Sequence, residues 1–238
     1  MFLIFTVIAS TLFAGLAMSL GATIAHFVKI EKKWIEQEVR HSVLALGAGA
    51  LLSAVALVLV PEGIEHLQPL SASFFFVLGG FSFMFLDVFL KKINTPASQL
   101  GAMLSDFIPE SIALGAAFAT GSNTAFILAG LIALQNLPEG FSSYIELNKS
   151  SSYYPSWIIT AFALMALLGP IAGVSGYLFL SDQPVIVASI MLYASGGILY
   201  SIFQDLAPQV ILENHWAPPM GAVFGFVLGM LGLMLTIS

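Results

Sequence analysis

The sequence predicts an all-α membrane protein with eight transmembrane helices, and three observations lead to that fold class. First, 58% of the 238 residues are hydrophobic and only 8% are charged, whereas a soluble domain carries about 25% charged residues. Second, the mean hydropathy is +0.97, and about 20 apolar residues make one helical span, which leaves room for seven or eight helices in one polytopic domain over residues 1–238. Third, all 7 basic residues fall in alternate loops.

Apolar runs between polar residues define the predicted helices. They cover, in order, about residues 2–28, 42–60, 72–90, 98–120, 124–147, 156–180, 185–207 and 218–237. Helix 1 is a span rather than a secretory signal peptide, because no basic residue precedes it. The charged, amphipathic segment 29–41 is predicted to be a loop. Helix 2 ends at Pro61 and Glu62, and helix 3 ends at Lys91 and Lys92.

Short polar segments separate the remaining helices. Asn94 and Pro96 lie between helices 3 and 4. The tight turn 121–123 joins helices 4 and 5, which are therefore expected to pack as an antiparallel hairpin. The polar stretch 148–155 leads into helix 6, and the turn 181–184 leads into helix 7.

The positions of the basic residues predict the orientation of the bundle. All of them lie in loops that follow odd-numbered helices: Lys29, Lys32, Lys33, Arg40, Lys91, Lys92 and Lys149. Such loops share one side of the membrane, and the positive-inside rule makes that side the cytoplasm. Both termini are then expected outside. One helix too many or too few in the prediction would place basic residues on both sides of the membrane. Their placement on a single side therefore supports eight spans.

Two short stretches in the middle of helices 4 and 5 carry the candidate chemistry. They are Asp106-Phe-Ile-Pro-Glu110 and Gln135-Asn-Leu-Pro-Glu139. Each places two oxygen-bearing side chains four residues apart, on one face of a helix. A proline precedes the second acid in each stretch, so a backbone carbonyl one turn earlier loses its amide donor. Each stretch therefore offers two side-chain ligands and a backbone oxygen beside a kink.

Three of the four side chains are carboxylates in a region expected to be hydrocarbon. A carboxylate at the bilayer centre costs at least about 2.5–3.5 kcal/mol, and clustering raises that cost unless protons or a cation neutralise the charge. An oxygen-only ligand set favours hard divalent ions such as Mn²⁺, Mg²⁺ or Fe²⁺, although Zn²⁺ also accepts carboxylates. The alternative is that the prolines are only kinks and that the acids are protonated and hydrogen-bonded in the bundle core.

The two stretches resemble the paired signature of the ZIP (Zrt/Irt-like) metal transporters. In that family, helices 4 and 5 each carry a histidine or similar ligand, then Asn or Asp, an apolar residue, Pro, Glu and usually Gly. Here the stretches read Asp-Phe-Ile-Pro-Glu-Ser and Gln-Asn-Leu-Pro-Glu-Gly. The resemblance implies a 3+2+3 arrangement in which the first and last three helices are inverted repeats. It also implies elevator-like alternating access, with helices 1, 4, 5 and 6 sliding against helices 2, 3, 7 and 8.

Several residues depart from the family pattern. Asp106 replaces the usual histidine, Phe107 replaces a residue of the family's second metal site, and Gly169-Pro170 stands where many members have Glu-Pro. A His-rich loop between helices 3 and 4 is missing. The resemblance therefore implies a divergent single metal site. Its predicted ligands are Asp106, Glu110, Gln135 and Glu139, with Asn136 as a further candidate and Asp205 as a candidate exit ligand.

The predicted function is the movement of a divalent metal cation toward the cytoplasm, with Zn, Mn, Fe or Cd as the substrate ion. The alternative is a ZIP-like protein that has lost metal transport and acts as a proton-linked carrier of another solute or as a binding or sensing subunit. An enzyme is not predicted, since no H-E-x-x-H or nucleophile constellation occurs. The expected partners are metal ions and the lipid bilayer, not nucleic acid, and a homodimer stays open. Short loops without targeting features favour a prokaryotic inner membrane.

Overall fold

The computed structural model describes residues 2–28, 33–93, 95–121, 124–180, 182–210 and 216–237. The regular elements in these ranges are helices, without a strand among them. They are labelled α1 to α8 and cover Phe2–Phe27 (α1), Lys33–Ala54 with the π-helical turn Val55–Leu59 and Val60–Glu65 (α2), Pro69–Ile93 (α3), Pro96–Ala119 (α4), Ala125–Ser150 (α5), Pro155–Leu180 (α6), Pro184–Val210 (α7) and Ala217–Ile237 (α8).

Seven helical segments in the described ranges are long and apolar enough to cross a membrane. The exception is α5, which has the same length of 26 residues as α1 but carries Gln135, Asn136 and Glu139 in its middle. Most of its residues are buried against the other helices, so they are shielded from lipid. The chain thus has the all-helical fold of an integral membrane protein, with its most polar helix inside the bundle.

The helices match the predicted spans and extend beyond several of them. The main difference is at α2, which begins at Lys33. The prediction of a loop was therefore wrong for residues 33–41. This segment is rich in Glu, Gln and Arg, which are good helix formers, so the helix continues past the end of the apolar run. Residues 29–32, with Lys29 and Lys32, lie outside the described residues, as do Asn94 and residues 122, 123 and 181.

Prolines explain the irregular turns of the long helices. Helix α6 is interrupted at Leu167, between the segments Pro155–Ala166 and Leu168–Leu180. Pro170 cannot donate to the carbonyl of Ala166, and its ring crowds that carbonyl. The π-helical turns Val55–Leu59 in α2 and Ile202–Leu206 in α7 come just before Pro61 and Pro208. These wide turns place the prolines without breaking either helix.

Contacts between helix ends show that the two ends of the bundle differ. At one end, the start of α2 meets the end of α7 through a bond between His41 and the Gln209 carbonyl. The ends of α3 and α7 meet there through Lys91 and Asp205. This end, which also carries Arg40 and Lys149, is called the basic end below. At the opposite end, Thr124 donates a hydrogen bond to Glu62, and Gly121 begins the α4–α5 turn with φ +72°.

Glycines allow four helix pairs to approach closely. A Cβ placed on Gly140 of α5 would lie 2.6 Å from the Cα of Met18 in α1, and one on Gly115 of α4 would lie 2.9 Å from the Cα of Gly173 in α6. Similar approaches join Gly49 of α2 to α8 and join α3 to α7. Packing of α1 against α6 and of α2 against α7 joins these pairs into two groups, with α1, α4, α5 and α6 in one and α2, α3, α7 and α8 in the other.

Candidate functional site

The predicted ligands of α4 and α5 meet in the middle of the bundle. Gln135 Nε2 donates a hydrogen bond to Glu110 Oε2 at 2.6 Å. Glu110 is 2% exposed and Gln135 is 5% exposed. Asp106 is half-buried, and its Oδ1 accepts a hydrogen bond of 3.4 Å from Ser201 Oγ of α7. The two helices of the predicted hairpin therefore share a polar centre, and α7 also contacts it.

Three carboxyl groups concentrate negative charge at this centre. Glu110 interacts electrostatically with both Asp106 and Glu139, and Asp106 also interacts with Asp205 of α7. Such a group is costly at low dielectric unless a cation or a proton compensates for the charge. Among the described residues, however, no three His, Cys, Asp or Glu side chains are arranged to hold a metal ion. The acids are near one another without forming a ready coordination shell.

Local backbone chemistry adds further oxygen at the centre. Both helices continue through their internal prolines, Pro109 and Pro138. Because proline has no amide hydrogen, the carbonyls of Ser105 and Leu134 lack their usual donors. Pro138 also faces Gly47 of α2, where an added Cβ would lie 3.1 Å from the proline ring. The carbonyls of Ser105 and Leu134 therefore lack an intrahelical amide donor, and Gly47 lets α2 pack against the ring of Pro138.

A cavity of about 580 Å³ connects the polar centre to the basic end. Asp106, Gln135 and Glu139 line its inner part, and Lys91 and Gln209 line its mouth. Along α5 the polar lining follows helical spacing, at Gln135, Glu139, Ser142, Ser143, Glu146 and Ser150. The cavity gives Asp106 and Glu139 a route to one side of the bundle, whereas Glu110 is not part of its lining.

Two predicted ligands occupy different positions. Asn136 is buried, and its Nδ2 donates to the Ala14 carbonyl of α1 at 2.9 Å. It is absent from the cavity lining, and its amide holds α5 against α1. Asp205 lines the cavity near its mouth, where its Oδ1 lies 3.6 Å from Lys91 Nζ. The structure thus brings together Asp106, Glu110, Gln135 and Glu139 and places Asp205 along the route toward the basic end.

Some lining residues were not among the predicted ligands. Ser142 and Glu146 follow Glu139 by three and seven residues. Helical periodicity places all three on one face of α5, so the sequence could have predicted them as lining residues. Ser201 lies on α7 and reaches Asp106 across the bundle. That contact depends on how α4 and α7 pack, which the spacing within one helix does not reveal.

Comparison with known proteins gives no match to a protein-family model and none to a curated protein. The likeness to ZIP transporters therefore stays a prediction from the residues of the two proline-containing stretches.

Proposed function

We propose that the chain transports a divalent metal cation across the membrane, toward the side that its basic end faces. The cavity carries this proposal, because it leads from Asp106, Gln135 and Glu139 to Lys91 at the basic end. The positive-inside rule assigns that end to the cytoplasm and both termini to the outside. In this proposal the cation enters from outside and leaves at the basic end.

Alternating access is the proposed mechanism. The glycine-mediated pairs in which an added Cβ would lie under 3 Å from the neighbouring backbone fall within the group α1, α4, α5 and α6 or within the group α2, α3, α7 and α8, whereas Gly47 of α2 faces the ring of Pro138 across the two groups at 3.1 Å. The two groups meet at looser surfaces, including those between α2 and α5 and between α4 and α7. Each group can therefore move as a unit. In this proposal the first group, which carries Glu110 and Glu139, slides against the second like an elevator.

An inverted repeat would explain the pattern of helix pairs. Exchanging α1 with α6, α2 with α7, α3 with α8 and α4 with α5 turns the pair α1–α5 into α6–α4. The same exchange turns α2–α8 into α7–α3. It also relates the two π-helical turns, Val55–Leu59 and Ile202–Leu206, and the prolines 109 and 138. This correspondence supports the 3+2+3 arrangement that the resemblance to ZIP transporters implies.

Carboxylate and amide oxygens define the class of ion. Asp106, Glu139 and Gln135 offer only oxygen as ligand atoms once the amide is turned, and backbone carbonyls add more of the same kind. Hard ions such as Mn²⁺ and Fe²⁺ suit this set best, while Zn²⁺ and Cd²⁺ also accept carboxylates. The hydrogen bond between Gln135 and Glu110 uses Gln135 Nε2 and Glu110 Oε2, so a bound cation is held by the Oε1 atom of either side chain or displaces this bond.

Uptake into proteoliposomes tests the proposal. We expect the wild-type protein to take up at least one of Mn²⁺, Fe²⁺, Zn²⁺ and Cd²⁺. Glu110→Ala and Glu139→Ala should each abolish that uptake, because each removes a carboxylate from the polar centre. Glu65→Ala is the matched control, since Glu65 is exposed near the opposite end of the bundle. Unchanged uptake in both centre variants excludes the assigned site.

The second candidate is a membrane protein of the same architecture that does not transport metal. One observation favours it: within the described ranges no three-residue ligand group is formed, and Glu110 is bonded to Gln135 instead. Such a protein would carry another solute with protons, or act as a binding or sensing subunit. Calorimetric titration of the folded protein with the same ions tests the two: we expect a transporter to give metal-dependent heat, and the absence of such heat at neutral pH favours the alternative.

A further inference from the structure

A lysine occupies the mouth of the cavity between two acids. Lys91 Nζ lies 2.8 Å from Asp87 Oδ2 on its own helix, α3, and 3.6 Å from Asp205 Oδ1 on α7. The Tyr200 hydroxyl donates to the same Asp87 oxygen at 3.1 Å. Asp87, Lys91 and Asp205 all line the cavity. A positive charge of the chain itself therefore stands on the route from the polar centre to the basic end.

The two acids hold Lys91 unequally. The contact with Asp87 is a hydrogen-bonded i,i+4 pair within α3, in which the acid precedes the base, and this order is favourable in a helix. Asp87 is 17% exposed and receives the tyrosine hydroxyl as well. Asp205 is 45% exposed and meets the ammonium only at 3.6 Å. The lysine is thus fixed to α3 and associated more loosely with Asp205.

We propose that Lys91 is a tethered counter-cation, which the transported ion displaces from Asp205 on its way out. This inference rests on the proposed transport function. It adds to that function a residue that sets the rate of ion release and the preference for divalent over monovalent ions. The side chain of Lys91 is 55% exposed, so its ammonium can turn into water at small cost. Asp87 keeps it near the mouth after displacement.

Charge decides what can displace the lysine. A divalent ion brings two positive charges to Asp205, against one from the ammonium, and so competes well at the same carboxylate. A monovalent ion brings no such advantage. The returning lysine in turn competes with rebinding after the ion has left. Lys91 should therefore weaken cation binding at the mouth, favour release and select against monovalent ions.

Lys92 provides a matched control for this role. It is the next residue on α3, is exposed, and is absent from the cavity lining. With purified full-length protein and Mn²⁺ as the probe, we expect Lys91→Met to tighten Mn²⁺ binding by about fivefold, the order of one exposed ion pair. Lys92→Met should leave it unchanged, and Lys91→Arg should restore the wild-type value. In an Asp205→Asn background, Lys91→Met should lose its effect, because the competition occurs at that carboxylate.

Reductive methylation followed by mass spectrometry gives a second readout that a purely structural lysine would not change. We expect Mn²⁺ to increase the methylation rate of Lys91 and to leave that of Lys92 unchanged. Mn²⁺ binding with equal affinity in Lys91→Met and wild type, or without a change in Lys91 methylation, overturns the inference and leaves the transport proposal intact. A wild-type protein that binds and transports none of the four ions overturns the transport proposal, and this inference with it.

Discussion

Glu110 is the acid of the polar centre whose burial costs most, because the residue is only 2% exposed in a membrane-spanning helix. Its hydrogen bond from Gln135 Nε2 compensates for part of the lost hydration. A buried polar group that loses its partner costs about 1–3 kcal/mol. Gln135 therefore stabilises Glu110 through its amide nitrogen, and in the proposed transport function its amide oxygen is a candidate ligand.

The first prediction separates stability from binding at this pair. Gln135→Leu leaves the Glu110 carboxyl without its donor, so we expect the free energy of unfolding to fall by about 1–3 kcal/mol. Glu110→Gln keeps a side-chain oxygen that accepts the same hydrogen bond and removes the charge. That variant should unfold no more easily than wild type, yet bind divalent ions more weakly by over about tenfold. Thermal unfolding in detergent and metal titration measure the two effects. Equal metal binding by Glu110→Gln and wild type would contradict a ligand role for Glu110.

At the scale of helices, the close approach of α1 and α5 keeps the polar centre in one unit. Gly140 of α5 lies against the α1 backbone at Met18, and Asn136 of α5 bonds to the Ala14 carbonyl of the same helix. The contact at Gly140 requires that this residue has no side chain, and the contact at Asn136 requires an amide donor. Together they hold α5 against α1 on both sides of Pro138.

A pair of identical substitutions in α5 tests this packing. Gly140→Ala places a methyl group into the Met18 backbone, and overpacking of this kind costs about 1–3 kcal/mol. We expect the apparent Tm to fall by about 2–12 °C. Gly130→Ala is the control, since an added Cβ at Gly130 meets nothing within 4 Å. Its Tm should stay the same or rise, because alanine favours a helix over glycine. A similar drop in both variants would mean that helix α5 is generally intolerant of substitution.

Helices were easier to predict from the sequence than their irregularities and contacts. Apolar length located the spans, since the bilayer requires it, and the proline-containing stretches located the polar centre. The start of α2 was missed because residues 33–41 lack an apolar run, although they contain good helix formers. The break at Leu167 follows from Pro170 and was predictable in principle. The contacts of Lys91 with Asp205 and of Ser201 with Asp106 were not, because they depend on which helices become neighbours.

At the scale of the whole molecule, the two ends of the bundle are in different states. The cavity reaches the basic end. At the opposite end, the hydrogen bond from Thr124 to Glu62 joins α2 to the start of α5, and so joins the two helix groups. In an alternating-access cycle this bond must break when the opposite end opens. It should therefore favour the state with the cavity open at the basic end.

The chain contains no cysteine, so a single introduced thiol can follow this equilibrium. Ser201→Cys places the thiol in the cavity lining, where a membrane-impermeant reagent should reach it only from the basic end. Adding Thr124→Val removes the donor to Glu62, and loss of about 1 kcal/mol changes the equilibrium constant between the two states by about fivefold. We expect labelling from the basic end to slow accordingly.

Thr120→Val is the matched control for this experiment, because the Thr120 hydroxyl bonds at 3.0 Å to Ala117 of its own helix segment and not across the two groups. A thiol introduced at the fully buried Ser195 should stay unlabelled and reports the integrity of the fold. If Thr124→Val and Thr120→Val label alike, the bond to Glu62 does not hold the opposite end closed. Slower labelling in Thr124→Val alone, together with retained metal binding, would place the control of access at the contact between the two helix groups.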